Sequence, residues 1–160
     1  MHAWRGELES GAVTPTPAVF DEDPWPTDRL ISADQIAARI KADGVVIDAR
    51  NSSRYVGKPN RIDPRFGHVP GAINLAWEDN IDDFTGLMLS VDDLRHRYVE
   101  VLEGSETGQR PAAYCGSGVT ACHDLLALTM IGVEADLYVG SWSEWGADET
   151  RPVESDVVDD

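Results

Sequence analysis

Four short apolar runs, Val45–Asp48, Ala72–Leu75, Ala112–Tyr114 and Asp136–Val139, alternate along the chain with segments whose apolar residues recur at helical spacing. Runs this short read as buried strands. Ser32-Ala33-Asp34-Gln35 is a capping-box pattern that opens a helix to about Lys41, with Ile36 and Ile40 on one face. Gly44 ends it. Ser90 followed by Asp93 opens a second helix to about Leu102, and Thr120 to Ile131 forms a third. Asn51 to Gly67 carries Pro59 and Pro64 and reads as a loop, and Trp142 to Trp145 as a short turn. Strands alternating with helices predict an α/β fold: a central parallel sheet with helices on both faces. In such sheets ligands bind beyond the carboxyl ends of the strands.

The length of 160 residues suits one domain with its own core, and 42% hydrophobic with 26% charged residues is ordinary for a globular chain. Met1 to Arg29, with Pro15, Pro17, Pro24, Pro26 and the acidic run Asp21-Glu22-Asp23, reads as a linker or arm. Residues 30–152 form the domain, and 153–160 an acidic tail. No apolar run approaches the length of a membrane span and no signal-peptide pattern opens the chain, so the expected compartment is the cytoplasm. The net charge of −16 argues against nucleic acid and against an anionic membrane surface as partners. Two cysteines make no disulfide framework, and the four histidines lack metal-ligand spacing.

Against that acidic background, five of the thirteen basic residues, Arg50, Arg54, Lys58, Arg61 and Arg65, fall between positions 50 and 65, where Asp63 is the only acid. Such an island suits a small anion, although a solvated loop would look the same. The strand ending at Tyr114 delivers Cys115 into Gly116-Ser117-Gly118-Val119-Thr120, ahead of a helix. A thiol between a strand and a helix start sits among unpaired backbone N–H groups and the positive end of a helix dipole. That setting favours the thiolate, the reactive form, and glycines let successive N–H groups face one anion. Cys115 is the candidate nucleophile, with Gly116, Gly118, Val119 and Thr120 as its backbone cradle. Cys122, with no glycines beside it, reads as a packed core residue.

Cys115-Gly116-Ser117-Gly118-Val119-Thr120 resembles the active-site loop of mercaptopyruvate sulfurtransferases, within the rhodanese superfamily. Val46-Ile47-Asp48-Ala49-Arg50, Gly67-His68-Val69-Pro70-Gly71-Ala72-Ile73-Asn74 and Gly140-Ser141-Trp142-Ser143-Glu144-Trp145 resemble three further family segments, in the family's order. The resemblance covers about Leu30 to Pro152. Ala3-Trp4-Arg5 through Gly11 resembles the end of a preceding rhodanese domain, so the chain looks like the linker and catalytic second domain of a two-domain sulfurtransferase.

The resemblance implies that Cys115 takes sulfur from 3-mercaptopyruvate, with thiosulfate the poorer donor, as a persulfide. It passes the sulfur to a thiol such as thioredoxin, or to cyanide in an assay, and no metal or organic cofactor is implied. Thiosulfate-preferring relatives carry basic side chains at the positions of Gly116 and Ser117. Here Ser117 offers a hydroxyl that hydrogen-bonds a carbonyl or passes a proton; the plainer reading is a turn residue bonding its own backbone. Arg54 and Arg61 match the arginines that bind the donor carboxylate in the family. The loop is two residues shorter than in some relatives, which leaves Arg65 as the alternative to Arg61. Asp48 with Arg50, and His68 in its Gly-His-Val-Pro-Gly turn, read as structural, and Trp142 and Trp145 as core.

In some two-domain relatives a histidine and an aspartate of the first domain assist the cysteine. The other reading is therefore a catalytically weak rhodanese module that acts as a sulfur carrier or binding partner, as a homodimer or with a separate rhodanese domain. Phosphatases and arsenate reductases on the same sheet carry an arginine at the far end of a longer loop. The residue six after Cys115 is Ala121, which argues against phosphate chemistry.

Overall fold

The computed structural model describes residues 5–19, 27–103 and 108–157. Within them the elements run β1 (Leu30–Ile31), α1 (Ala33–Lys41), β2 (Val46–Asp48), α2 (Ser52–Tyr55), β3 (Ile73–Asn74), a 3-10 turn (Trp77–Asn80), α3 (Val91–Glu103), β4 (Ala112–Tyr114), α4 (Ala121–Met130), β5 (Asp136–Tyr138) and α5 (Ser141–Trp145). The five strands form one parallel sheet in the order β1-β5-β4-β2-β3. β2 and β4 are neighbours, with Asp48 opposite Tyr114.

The capping box at Ser32 and Gln35 forms in both directions and starts α1. Ser90 caps α3 through the backbone N–H of Asp93 at 3.2 Å. Alternate strand residues face opposite sides of the sheet. Val46, Ala112 and Tyr114 therefore join Ile36, Tyr138, Trp142 and Trp145 in one core layer, while Ile47, Ala113 and Cys115 join Leu94, Tyr98, Ala127 and Leu128 in the other. Ile36, Leu94 and Leu128 are fully enclosed, and burying each contributes about 2 kcal/mol. Among the described residues no helix is long and apolar enough to cross a membrane.

The structure departs from the sequence reading in four places. β1 was not foreseen, because a two-residue edge strand is too short to show a period. The Asn51–Gly67 segment is not wholly loop: Asn51 accepts the backbone N–H of Arg54 at 3.1 Å and opens a single helical turn. The acidic tail does not leave the domain at residue 153. Glu154 exchanges both backbone hydrogen bonds with His68, at 2.8 and 3.0 Å, and the Asp156 N–H donates to Val56. Cys122, read as core, is exposed; its Sγ lies 3.4 Å from the Gly118 carbonyl on the outer side of the first turn of α4. Of the arm, residues 5–19 hold no regular structure and Thr27–Arg29 form a 3-10 turn. Residues 3 and 4 of the segment likened to a preceding domain, and residues 20–26 of the arm, lie outside the described residues.

Candidate active site

Because β2 and β4 pair side by side, their carboxyl ends open onto the same crevice. Cys115 leaves β4 there and the basic segment leaves β2. The thiol residue is 1% exposed, at the floor of the loop.

Local hydrogen bonds fix the loop from one side. The Cys115 N–H donates to Ser141 Oγ at 3.1 Å, and that hydroxyl donates on to the Tyr138 carbonyl at 2.9 Å. The Trp142 N–H donates to the Cys115 carbonyl at 3.0 Å. The Ser143 N–H and Oγ both donate to the Gly116 carbonyl, at 2.9 and 2.6 Å. Every peptide here is trans, and in a trans peptide the C=O and the following N–H point in opposite directions. With the carbonyls of 115 and 116 drawn onto α5, the N–H groups of Gly116 and Ser117 face away from it. Among the described residues, the N–H groups of residues 116–120 donate to no protein acceptor.

Ser141 has φ +53°, a left-handed conformation that costs a non-glycine residue energy and is held here by its two hydrogen bonds. Gly118 is glycine for two reasons: its φ is +84°, and a β-carbon would lie 2.8 Å from the Val139 carbonyl oxygen. Ser117 is exposed, and its hydroxyl engages no protein partner among the described residues. Val119 is exposed at the rim and Thr120 half-buried.

The basic segment divides by role. Arg54 reaches across the loop, close enough that a β-carbon at position 116 would sit 2.9 Å from its Nη2 and 3.5 Å from its Nη1. Its Nε and Nη2 donate to Asp63, which leaves Nη1 without a protein acceptor among the described residues. Arg61 is exposed and makes no hydrogen bond or ion pair among those residues. Arg65 is committed elsewhere. Its guanidinium donates to the carbonyls of Trp145, Gly146, Asp148 and Arg151, at 2.7 to 3.1 Å, so the alternative of Arg65 as an anion ligand does not fit its geometry.

Beneath the loop, Arg50 is enclosed with Asp48 and the Gly67 carbonyl, under the ring of Trp142. Burial opposes its charge, yet bonding to Asp48 holds its pKa above the ordinary value. Burial also pushes the Asp63 carboxyl upward, but hydrogen bonds from Arg54 and Asn60 and the charges of Arg54 and Arg50 hold it below the usual range. His68 is buried, stacked on Tyr55 and bonded through Nδ1 to the Tyr55 carbonyl at 2.8 Å, a structural placement. Trp142 and Trp145 are buried and donate to the carbonyls of Arg65 and Pro152.

Residues 32–148 match the rhodanese-like domain family. The chain belongs to that family. It is 39% identical over 158 residues to a Pseudomonas aeruginosa protein named "Probable 3-mercaptopyruvate sulfurtransferase", covering 96% of this chain and 55% of the relative. It is 34% identical over 150 residues to the 3-mercaptopyruvate sulfurtransferase of Escherichia coli K12, covering 92% and 52%. A second P. aeruginosa relative, named thiosulfate sulfurtransferase, is 32% identical over 143 residues, covering 88% and 49%. This rhodanese-like chain thus spans about half the length of the curated relatives it matches. A structure of an EanB variant in complex with ergothioneine superposes with a TM-score of 0.75 at 19% identity, over 91% of this chain and 36% of that one. At that identity the likeness shows the rhodanese-like fold alone.

Three residues that shape this rhodanese-like site escaped the sequence reading: Ser141, Ser143 and Asp63. The serines lie in Gly140–Trp145, the segment likened to a family motif, whose tryptophans carry its apolar signal. Asp63 announced itself only as the single acid of a basic stretch.

Proposed function

We propose that this rhodanese-like domain is a sulfurtransferase that takes sulfur from 3-mercaptopyruvate onto Cys115 and passes it to a thiol, with thiosulfate the poorer donor. The observation that carries the reading is Arg54 lying over Gly116 beside the free N–H groups that follow Cys115.

The Cys115 thiolate attacks the donor's sulfur. The donor's carbon–sulfur bond breaks and its electron pair leaves on carbon as the enolate of pyruvate. The proton of the donor thiol ends on that carbon, giving pyruvate and a persulfide anion on Cys115. An acceptor thiolate, from a small thiol or a thioredoxin-like protein, then attacks the outer sulfur. The sulfur–sulfur bond breaks and the Cys115 thiolate returns.

No step changes the overall electron count, so neither metal nor redox cofactor is required. The chemistry needs an anion stabilised at Cys115 and a held donor. N–H groups from Gly116 through Thr120 suit the first demand. The free Nη1 of Arg54 suits the donor's carboxylate, with exposed Arg61 within the same segment. Uncharged Gly116 and Ser117 favour a carboxylate donor over a sulfonate-like dianion, and the Ser117 hydroxyl is free to bond the donor's carbonyl.

The test is pyruvate release from 3-mercaptopyruvate in the presence of a thiol, together with mass spectrometry of Cys115 after donor alone. The expected result is turnover and a sulfur adduct, both lost in Cys115→Ser. Neither release nor adduct at any donor concentration would instead support a binding or carrier module.

A further inference from the structure

Arg54 lies against Gly116 of the reactive loop and Arg50 lies under the Trp142 ring, and each is matched by a buried carboxylate. Asp48 takes Arg50, with the side chains of both fully enclosed. Asp63, 2% exposed, takes the Nε and Nη2 of Arg54 and lies 3.6 Å from Arg50 Nη1. That Nη1 is buried with no hydrogen-bond partner among the described residues, and Asp63 faces it. Asn60 completes Asp63 by donating its side-chain N–H at 2.9 Å, and its own Oδ1 accepts the backbone N–H groups of Ile62 and Asp63. The two cations are therefore electrically matched before any donor arrives.

We infer that Asp63 is a specificity-determining residue, which selects the charge of the sulfur donor by neutralising the arginine beneath which that donor must bind. The inference rests on the sulfurtransferase reading and deepens it. The energy of an anion in the site's potential scales with the anion's charge. A pair of unmatched arginines favours a dianion such as thiosulfate twice as strongly as a monocarboxylate such as 3-mercaptopyruvate. Cancelling one positive charge at a distance of a few ångströms takes more from the dianion than from the monoanion. What remains for the donor is the directional contact at Arg54 Nη1, which serves a carboxylate without demanding two negative charges. Neutral side chains at 116 and 117 and a carboxylate at 63 then act in the same sense.

Asp63→Asn tests this, since the amide oxygen still accepts from Arg54 while one negative charge is removed. The ratio of kcat/KM for thiosulfate to that for 3-mercaptopyruvate is expected to rise by about fivefold at low salt, and less at high ionic strength. Because Asp63 is enclosed, the partly buried loop variant Asn60→Lys provides a second arm: its ammonium still donates toward Asp63 while adding a positive charge beside the same arginines, and the ratio should rise. A purely structural role would change both donors by one factor and leave the ratio fixed in both variants; that outcome overturns the inference.

A third readout does not depend on turnover. The rate at which iodoacetate labels Cys115, divided by that for neutral iodoacetamide and read on the Cys115 peptide, should rise in both Asp63→Asn and Asn60→Lys. If the wild-type protein turns over neither donor, the sulfurtransferase reading fails, while the labelling ratios still decide whether Asp63 sets the charge at the thiol. Unmoved labelling ratios reject it.

Discussion

Ser143 donates two hydrogen bonds to one acceptor: its N–H and its hydroxyl both reach the carbonyl of Gly116, at 2.9 and 2.6 Å. That carbonyl is the lever by which α5 turns the next N–H group, that of Ser117, away from itself. Removing the hydroxyl leaves the backbone bond but loosens the lever. Ser143→Ala should lower kcat for pyruvate release about tenfold with little change in KM, a loss worth roughly one hydrogen bond to the loop. Ser143→Thr, which restores the hydroxyl, should recover most of the rate. An equal loss in both variants would show that the hydroxyl does not act through the loop.

Gly116 leaves room for a neighbour. A β-carbon there would lie 2.9 Å from Arg54 Nη2, inside any normal contact, while Asp63 holds the guanidinium from its other edge. Gly116→Ala should push Arg54 off the loop and raise KM for 3-mercaptopyruvate roughly tenfold, the equivalent of one weakened charge-assisted hydrogen bond. Alkylation of Cys115 by neutral iodoacetamide should be little affected. An unchanged KM would place the donor carboxylate somewhere other than Arg54.

Arg65 joins the segment before His68 to the end of α5 and the residues after it as far as Arg151, through the carbonyls of four residues. Arg65→Ala leaves those half-buried acceptors unmet and should destabilise the fold by about 3 kcal/mol in denaturant unfolding. At temperatures where the variant stays folded, KM for the donor should match the wild type. A raised KM with undiminished stability would return Arg65 to the binding site.

Much of this was legible in the sequence because local rules and tertiary demands agree. The buried runs at Val46–Asp48 and Ala112–Tyr114 became neighbouring strands, the Ser32 capping box formed, and Cys115 came out where a strand gives way to a helix. The partitioning of the arginines was not legible. Arg50, Arg54, Arg61 and Arg65 are chemically identical, and only three-dimensional contacts send one to a buried aspartate, one across the loop, one to solvent and one to a set of carbonyls. Cys122 misled for a related reason. Its place in the helix, with no glycines beside it, suggested the core, but the helical phase turns it outward while Ala121 and Asp124 face inward. A buried aspartate two residues on was the price of that phase, and no periodicity rule foresees it.

Asp124 sits fully enclosed on the inner side of α4, accepting from the Asn80 side-chain N–H at 2.7 Å through Oδ1, while Oδ2 has no partner among the described residues. Burial pushes its carboxyl up to about 7, only partly opposed by the Asn80 hydrogen bond, the Arg97 charge and Tyr98, with Asp48 adding to the rise. Between the ordinary carboxylate value and about 7 the folded chain therefore holds a proton that the unfolded chain has lost. Stability contributed by this group is present in full at acid pH, falls as pH rises through that window, and levels off above it. Asp124→Asn, the isostere of the protonated acid, removes the linkage. The variant should match the wild type near pH 4 and exceed it at pH 8 by a few kcal/mol, at most about 4. Denaturant unfolding at both pH values measures the difference, in which the pH response of the other carboxylates cancels. Parallel stability curves for the two proteins would mean that Asp124 is ionised in the folded state, with its second oxygen satisfied by solvent.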